Sequence, residues 1–456
     1  MSAELVLKGL ILLPFCVFLA IALLWLLHGH LSEKATSRFH GFSHGLMVVL
    51  MLALGRELWL AADHTVHADF GEWFRVGDYH FRLAFVLDRL SYPFVMLVTV
   101  LTGLVGSFSV RYLHRDPGFQ RFFLLLRLFT FGSLVVFTAD SLDSLIAGWE
   151  LVGITSVLLI GFFQYRREPI KNALRVFATY RIADLNILIA VFLAHHQFHG
   201  SAWNELFSGA WPDQTPVPTG MMAGAIAVLL VLAACGKSAQ GPFLGWLARA
   251  MEGPTPSSAI FYGAISVHAG AYLLLRVEPL IRASSVATGV LIAVGLVTAM
   301  VSTLIHRTSP DAKTSLAYAC QTQLGIIFVE IGLGLTQVAL IHIVGHAVVR
   351  TMQFLRTPSM LSDHHRVHAA SGGDLGSTGE HYESILPRSF QMVLYRIAFG
   401  RAFYDVVVDR FLIAGARGIS RALARLEPAW ARHNTEPSTL STPSPPSAPS
   451  SRAGQH

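Results

Sequence analysis

The sequence predicts an all-α, polytopic membrane helix bundle. Three observations predict it. The 456 residues are 53% hydrophobic and only 14% charged, with a mean hydropathy of +0.52, which excludes an ordinary soluble domain. Apolar runs long enough to cross a bilayer, about 20 residues each, follow one another without a soluble domain before residue 357. The connecting loops alternate between basic and acidic. One run ends on Lys237, followed by Ser238, Gln240, Gly241 and Pro242, so one helix is expected to break inside the membrane. A charge at that depth normally faces the bundle interior and serves a pathway.

The expected spans are 5–27, 41–62, 84–110, 120–139, 141–163, 172–194, 219–237, 256–276, 285–305, 314–334 and 337–356, about eleven in a core covering residues 1–356. The first is too long for a signal-peptide core and lacks a clean small-residue cleavage site. Odd-numbered loops carry the basic residues: Lys34 and Arg38; Arg111, Arg115 and Arg121; Arg166, Arg167 and Lys171; Arg249; Arg307 and Lys313. Residues 63–80 carry Asp63, Asp69, Glu72 and Asp78, and residues 195–218 no Lys or Arg. The positive-inside bias therefore places the N-terminus outside and the C-terminal region in the cytoplasm. The loop with Arg276 and Arg282 is the exception. The 34 Lys and Arg against 28 Asp and Glu, a formal charge of +6, need no nucleic-acid partner to explain them.

Past residue 357 the character changes. Residues 357–432 are read as a cytoplasmic polar linker with His364, His365, His368 and His381, then amphipathic helices from residue 387. Residues 433–456 are Ser/Pro-rich and expected to be disordered. Cys16, Cys235 and Cys320 are isolated in apolar runs, with no metal spacing.

Several charges fall inside the expected spans. Glu150 lies mid-span and should face other helices, since a carboxylate facing lipid is costly. A Glu150/Lys237 pair at variable distance can switch the lysine between charged and neutral forms; a static ion pair is the alternative. Arg181 and Asp184, three apart, share a helix face and form either an internal pair or part of a pathway. Arg127 has no evident partner. His342 and His346 lie four apart with Arg350 on the same face. No third metal ligand is evident, and a histidine relay is the favoured reading. His268 reads as a helix–helix contact. CGKSA at 235–239 is not a phosphate loop, because Val231 stands where that motif needs glycine. The chain shows no catalytic or metal-binding set.

These segments resemble the antiporter-like, proton-conducting subunits of respiratory complex I, especially subunit 5, and the related cation/proton antiporter subunits. The matching pieces are LDRLS at 87–91, WELVG around Glu150, YRIAD at 180–184, GKSAQGPFLGWLARAMEGPTPSSA at 236–259, DAKTSLAYACQTQLG at 311–325 and HIVGHAVVR at 342–350. The resemblance implies an antiporter-like fold in which Glu150 and Lys237 form a coupled half-channel pair. It also implies that Lys313 and His346 form the connecting relay, lined by His342. This chain departs from the pattern at three places. Arg350 stands where the family has a relay lysine, Phe261 and Tyr262 where a histidine usually follows the PTP segment, and a polar stretch where the second broken helix is expected. The second repeat therefore reads as truncated.

With its C-terminal YRIAFGRAFYDVVVDRFL, that pattern resembles the membrane subunit of the DAB-type inorganic carbon accumulation complex. The resemblance implies an inner-membrane ion-transport subunit, conducting protons or sodium ions. It also implies a large soluble partner whose zinc site is similar to β-carbonic anhydrases, with cation flow driving hydration of CO2 to bicarbonate. Zinc is then expected on the partner and no cofactor in this chain. A proton-pumping subunit of a complex I-like oxidoreductase or hydrogenase, and a cation/proton antiporter subunit, are the alternatives.

Overall fold

The computed structural model describes residues 2–357, except 28, 30, 78, 217–218 and 310, together with residues 369, 385–404, 410, 414–415 and 417–424. The chain forms two units, Met1–Ala402 and Phe403–His456. In the second, residues 417–424 are helical. The expected His-rich stretch, residues 405–409 and 411–413 of the expected amphipathic region, and the tail 433–456 lie outside the described residues.

In the first unit the elements run α1 (Ala3–Leu26), α2 (Glu33–Leu60), β1 (Val66–Val76), β2 (Tyr79–Leu87), α3 (Ser91–Tyr112), α4 (Phe119–Thr138), α5 (Leu142–Ile160) and α6 (Arg167–Phe198). After the short α7 (Trp203–Leu206) and a small β3–β4 pair (Phe207–Ser208, Thr215–Pro216) come α8 (Met221–Lys237), α9 (Trp246–Arg249) and α10 (Thr255–Ser257). A π-helical turn, Ser258–Ala264, leads into α11 (Ser266–Arg276) and α12 (Glu278–Arg282). Then follow α13 (Ser285–Thr308), α14 (Ala312–Gly332), α15 (Thr336–Arg356) and α16 (Arg388–Phe399). Polar residues mark several starts. Ser32, Ser141, Ser284 and Asp311 each accept a backbone N–H three residues on, satisfying donors that a helix start leaves open.

Nine helices among the described residues are long and apolar enough to cross a membrane. The expected spans 219–237 and 314–334 are also helical, as α8 and α14. The first is stopped at 17 residues by the break after Lys237. The second carries Gln321, Thr322 and Gln323, whose side chains bond to the broken segment, α13 and α15 respectively.

The span expected at 84–110 needs correction. Its first residues belong to β2, which pairs antiparallel with β1 from Val66↔Leu87 to Val76↔Tyr79. Residues 66–76, read as acidic loop, are therefore a strand. Polar and apolar residues alternate through His67, Ala68, Asp69 and Phe70, a period-two pattern. The apolar run LAFVL at 83–87 reads equally as helix or strand.

The bundle is organised around the segment after the break. Thr255–Arg276 is buried along its whole length, whereas α1 buries only 28% of its most apolar window. α13 and α14 cross at glycines: a Cβ at Gly295 would lie 2.6 Å from the Gly325 carbonyl oxygen.

Arg276 was expected in a loop, and that is corrected too. It lies 1% exposed at the end of α11. Its Nη1 donates to Asp88 Oδ2 (2.5 Å) and its Nη2 to Asp88 Oδ1 (3.1 Å) and the Tyr272 hydroxyl (3.1 Å). Asp88 Oδ1 also accepts from the Leu90 and Ser91 amides at the start of α3. The pair thus ties the hairpin and α3 to the central helix. Removing one partner leaves an uncompensated buried charge. Asp88→Asn should therefore lower stability by about 3–5 kcal/mol, and Asp88→Leu with Arg276→Met should recover most of it. Thermal unfolding in detergent measures both; a single variant within noise of wild type would contradict this role.

Candidate ion-conduction site

Three helices bring the first charged group together. Lys237 is the last residue of α8, where the helix's carbonyl end favours a cation. It is 1% exposed. Its Nζ donates to the Trp149 carbonyl (2.8 Å) and sits over the rings of Trp149 (4.8 Å) and Tyr180 (4.9 Å). Trp149 Nε1 donates to Asp184 Oδ1 (2.7 Å). Arg181 donates to Asp184 Oδ2 (2.9 Å) and also to Glu150. The order across the site is therefore Lys237, Trp149, Asp184, Arg181, Glu150.

A direct Glu150–Lys237 contact is absent. Arg181 holds Glu150, and Asp184 is the carboxylate with the larger electrostatic effect on the lysine. The i, i+3 pair of α6 is thus the link between them, which spacing alone could not distinguish from an internal ion pair.

The break leaves backbone groups without helical partners, and long polar side chains satisfy them. Gln321 Nε2 donates to the carbonyls of Ala239 (3.1 Å) and Leu244 (2.6 Å). Thr298 Oγ1 accepts from the Gly241 amide (3.0 Å), and Ser238 Oγ donates to the Val267 carbonyl (2.6 Å).

The second group lies between α11 and α15. His268 Nδ1 bonds the Ala264 carbonyl (2.6 Å), and its Nε2 meets His346 Nδ1 (2.8 Å). Arg350 Nε donates to His346 Nε2 (3.2 Å). Because Arg350 can only donate and the Ala264 carbonyl can only accept, the ring protons are fixed if both rings are neutral. Every bond then points the same way, from Arg350 to His346 to His268 to Ala264. Arg350 also donates to Gln353 and to the Ala319 carbonyl.

His342 lies one turn earlier on α15. Its Nδ1 bonds Glu330 (2.9 Å) and its Nε2 bonds Gln323 (3.1 Å), so it faces α14. Lys313 stands apart from His346. Its Nζ donates to the Gly253 carbonyl (3.3 Å), and it precedes Ala319 by six residues, roughly 9 Å along α14. Among the described residues, no group of three or more His, Cys, Asp or Glu side chains is placed to hold a metal. His268 is the helix–helix contact expected from the sequence, with His346 its partner across α11 and α15; sequence reasoning missed that pairing and Glu330 as the partner of His342. The π-helical turn before α11 sets the face that His268 presents, and no simple periodicity shows it.

Residues 139–375, more than half of the chain, match the family described as NADH:quinone oxidoreductase/Mrp antiporter, TM. The chain belongs to this family. Residues 73–123 match the N-terminal part of complex I chain 5. The chain is 32% identical over 342 residues to NADH-quinone oxidoreductase subunit L of Mycobacterium tuberculosis, covering 75% of this chain and 52% of that protein. It is 33% identical over 311 residues to NAD(P)H-quinone oxidoreductase chain 5 of Synechocystis, covering 67% and 45%. It thus spans about half the length of these relatives. Among solved structures, a chain of the Mrp complex from Dietzia superposes with a TM-score of 0.66 at 27% identity, over 78% of this chain and 37% of that one. A chain of an archaeal membrane-bound sulfane sulfur reductase shares the fold, with a TM-score of 0.65 at 17% identity, covering 78% and 70%.

The geometry makes Glu150, Arg181, Asp184 and Lys237 one coupled unit. Double-mutant cycles of Glu150→Gln or Asp184→Asn with Lys237→Ala should show coupling of roughly 0.5–3 kcal/mol in initial cation-flux rates into proteoliposomes. Fully additive losses would show that the groups act independently.

Proposed function

We propose that this chain is the ion-conducting subunit of an energy-coupled inorganic carbon pump in a cell inner membrane. Protons or sodium ions pass through it. Their flow drives one-way CO2 hydration, and hence bicarbonate accumulation, on a large soluble zinc subunit similar to β-carbonic anhydrases. The observation that carries this reading is the end of the histidine chain on Arg350. A lysine there can release its proton and pass it on; an arginine keeps its charge. A chain closed in that way suits ion flow used on the spot by a docked partner. In this reading Lys237 is the switching charge, with Glu150, Arg181 and Asp184 setting its state. His342, His346 and Lys313 line the inner path. The basic odd-numbered loops lie in the cytoplasm with the C-terminal region, and the N-terminus lies outside.

The names of the relatives favour a second reading, a proton-pumping subunit of a quinone oxidoreductase or a cation/proton antiporter subunit. Purification of the full chain from native membranes, with mass spectrometry and zinc analysis, separates the two. A stoichiometric zinc subunit supports the carbon pump. Quinone-oxidoreductase or small antiporter subunits support the second reading.

Lys237→Ala should abolish rescue of growth at low CO2 in a strain without its own carbon uptake, at normal membrane insertion. Normal rescue at normal expression would remove Lys237 from the mechanism. The tail gives an independent check. Helix α16 leaves Phe390, Val393, Tyr395 and Phe399 half or more exposed beside Arg388 and Arg396, a surface that a partner can cover. Truncation after residue 432 should preserve the complex, and truncation before Pro387 should release the soluble subunit in a pull-down. Full retention by the shorter chain would move docking to the basic loops.

A further inference from the structure

A groove of about 420 Å³ opens between the last turns of α13 and helix α16. Leu304 and Arg307 line it from α13, and Met392, Leu394, Tyr395 and Ala398 from α16. Ala398, 3% exposed, seats α16 against its neighbour. Two stripes meet in the groove. On α13, Val297 and Met300 are 57% and 69% exposed, and Leu304 and Arg307 continue their face at helical spacing. On α16, Arg388, Met392 and Tyr395 share a face, at i, i+4 and i+7.

Helix α13 is long and apolar enough to cross a membrane, and Arg307 is its next-to-last residue. The groove therefore stands where a span leaves the hydrocarbon, with an apolar stripe running into it from the lipid side. Its charge has one sign. Residues 385–404 carry Arg388, Arg396 and Arg401 and no Asp or Glu, and α13 carries Arg307 and no Asp or Glu. The next carboxylate along the chain, Asp311, is engaged at the start of α14, where it accepts from the Thr314 amide (2.8 Å). Arg307 has another contact in the chain, and a guanidinium has five N–H donors to share.

We propose that this groove seats one anionic phospholipid, of the phosphatidylglycerol type, with an acyl chain along Met300 and Leu304 and its phosphate between Arg307 and Arg388. An apolar groove at the membrane surface draws in an acyl chain, and a cluster of guanidiniums selects an anionic headgroup over a zwitterionic one. A soluble partner would meet the same arginines but not the stripe at Met300, two turns deeper along α13. Phe390 and Val393 lie on the other side of α16, so the groove is separate from the surface they offer. The site goes beyond the carbon-pump reading; neither the ion flow nor the zinc partner enters it.

The test uses the full chain in nanodiscs of phosphatidylcholine mixed with phosphatidylglycerol, released into native mass spectrometry. The wild type should keep one phosphatidylglycerol, enriched severalfold over its share of the bilayer. Inorganic phosphate, and glycerophosphoglycerol, which is the headgroup without its chains, should not displace it. Arg307→Gln with Arg388→Gln should lower the preference roughly tenfold or more, and Arg307→Lys with Arg388→Lys should keep most of it. Leu304→Trp should fill the groove and release the lipid with both arginines in place. The wild type alone can overturn the proposal, if phosphatidylglycerol is held no better than phosphatidylcholine or if phosphate displaces it. A preference that survives the double Gln variant would also overturn it. The competing occupant is the chain's own linker, with Asp363, Asp374, Glu380 and Glu383. Phosphatidylglycerol retained only after these four are changed to Asn and Gln would give the groove to the linker, and the proposal would fall.

Discussion

An ammonium group fixed at the end of a broken helix, away from bulk water, is the constraint on which this structure depends. Lys237 can stay there because its surroundings replace water piece by piece. The Trp149 carbonyl accepts a hydrogen bond, two ring faces lie against the charge, and the α8 terminus lends its carbonyl dipoles. Two carboxylates and two cations in the group sum to zero formal charge. A neutral group can rearrange its pairs in a low-dielectric bundle at far less cost than one carrying net charge. Arg181 is the member able to rearrange, since it already bonds both Asp184 and Glu150.

The break exists only because other helices complete it. Gln321 alone holds two carbonyls of the broken segment from α14, and Thr298 of α13 holds an amide. The glycine crossing at Gly295 and Gly325 lets α13 and α14 pack closely as a pair beside the break. α14 is more polar than its neighbours for this reason, which also accounts for its falling short of an apolar span by composition.

Most of the bundle was legible in the sequence, because length and apolarity alone decide which segments can span a bilayer. The break was legible from Lys237, Gly241 and Pro242. The partners were not. Arg276 looked like a loop charge at odds with the charge bias until Asp88, 188 residues away in sequence, was found beside it. Arg127 had no visible partner because its acceptors are a histidine, a carbonyl and a serine on α2. Glu150 and Lys237 were expected to pair at a variable distance, and Arg181 stands between them. The hairpin β1–β2 was hidden because its second strand ends in five apolar residues that continue toward α3. In each case the missing information was which faces meet, and a periodic pattern gives a face without naming its neighbour.

The two charged groups are joined through the break itself. Ser238, next to Lys237, donates to the carbonyl of Val267, next to His268. Any shift of the lysine's backbone is therefore felt at the first histidine of the chain. Next to Lys237 the rings of Tyr180, Trp246 and Tyr262 pack edge to face in a row, at 4.9 and 5.8 Å. The hydroxyls of Tyr262 and Ser258 are buried without a hydrogen-bond partner among the described residues, and the Tyr180 hydroxyl interacts with Ser266. A hydroxyl both donates and accepts, and its proton rotates to suit. At the far end Arg350 can only donate, so the neutral histidines point away from it.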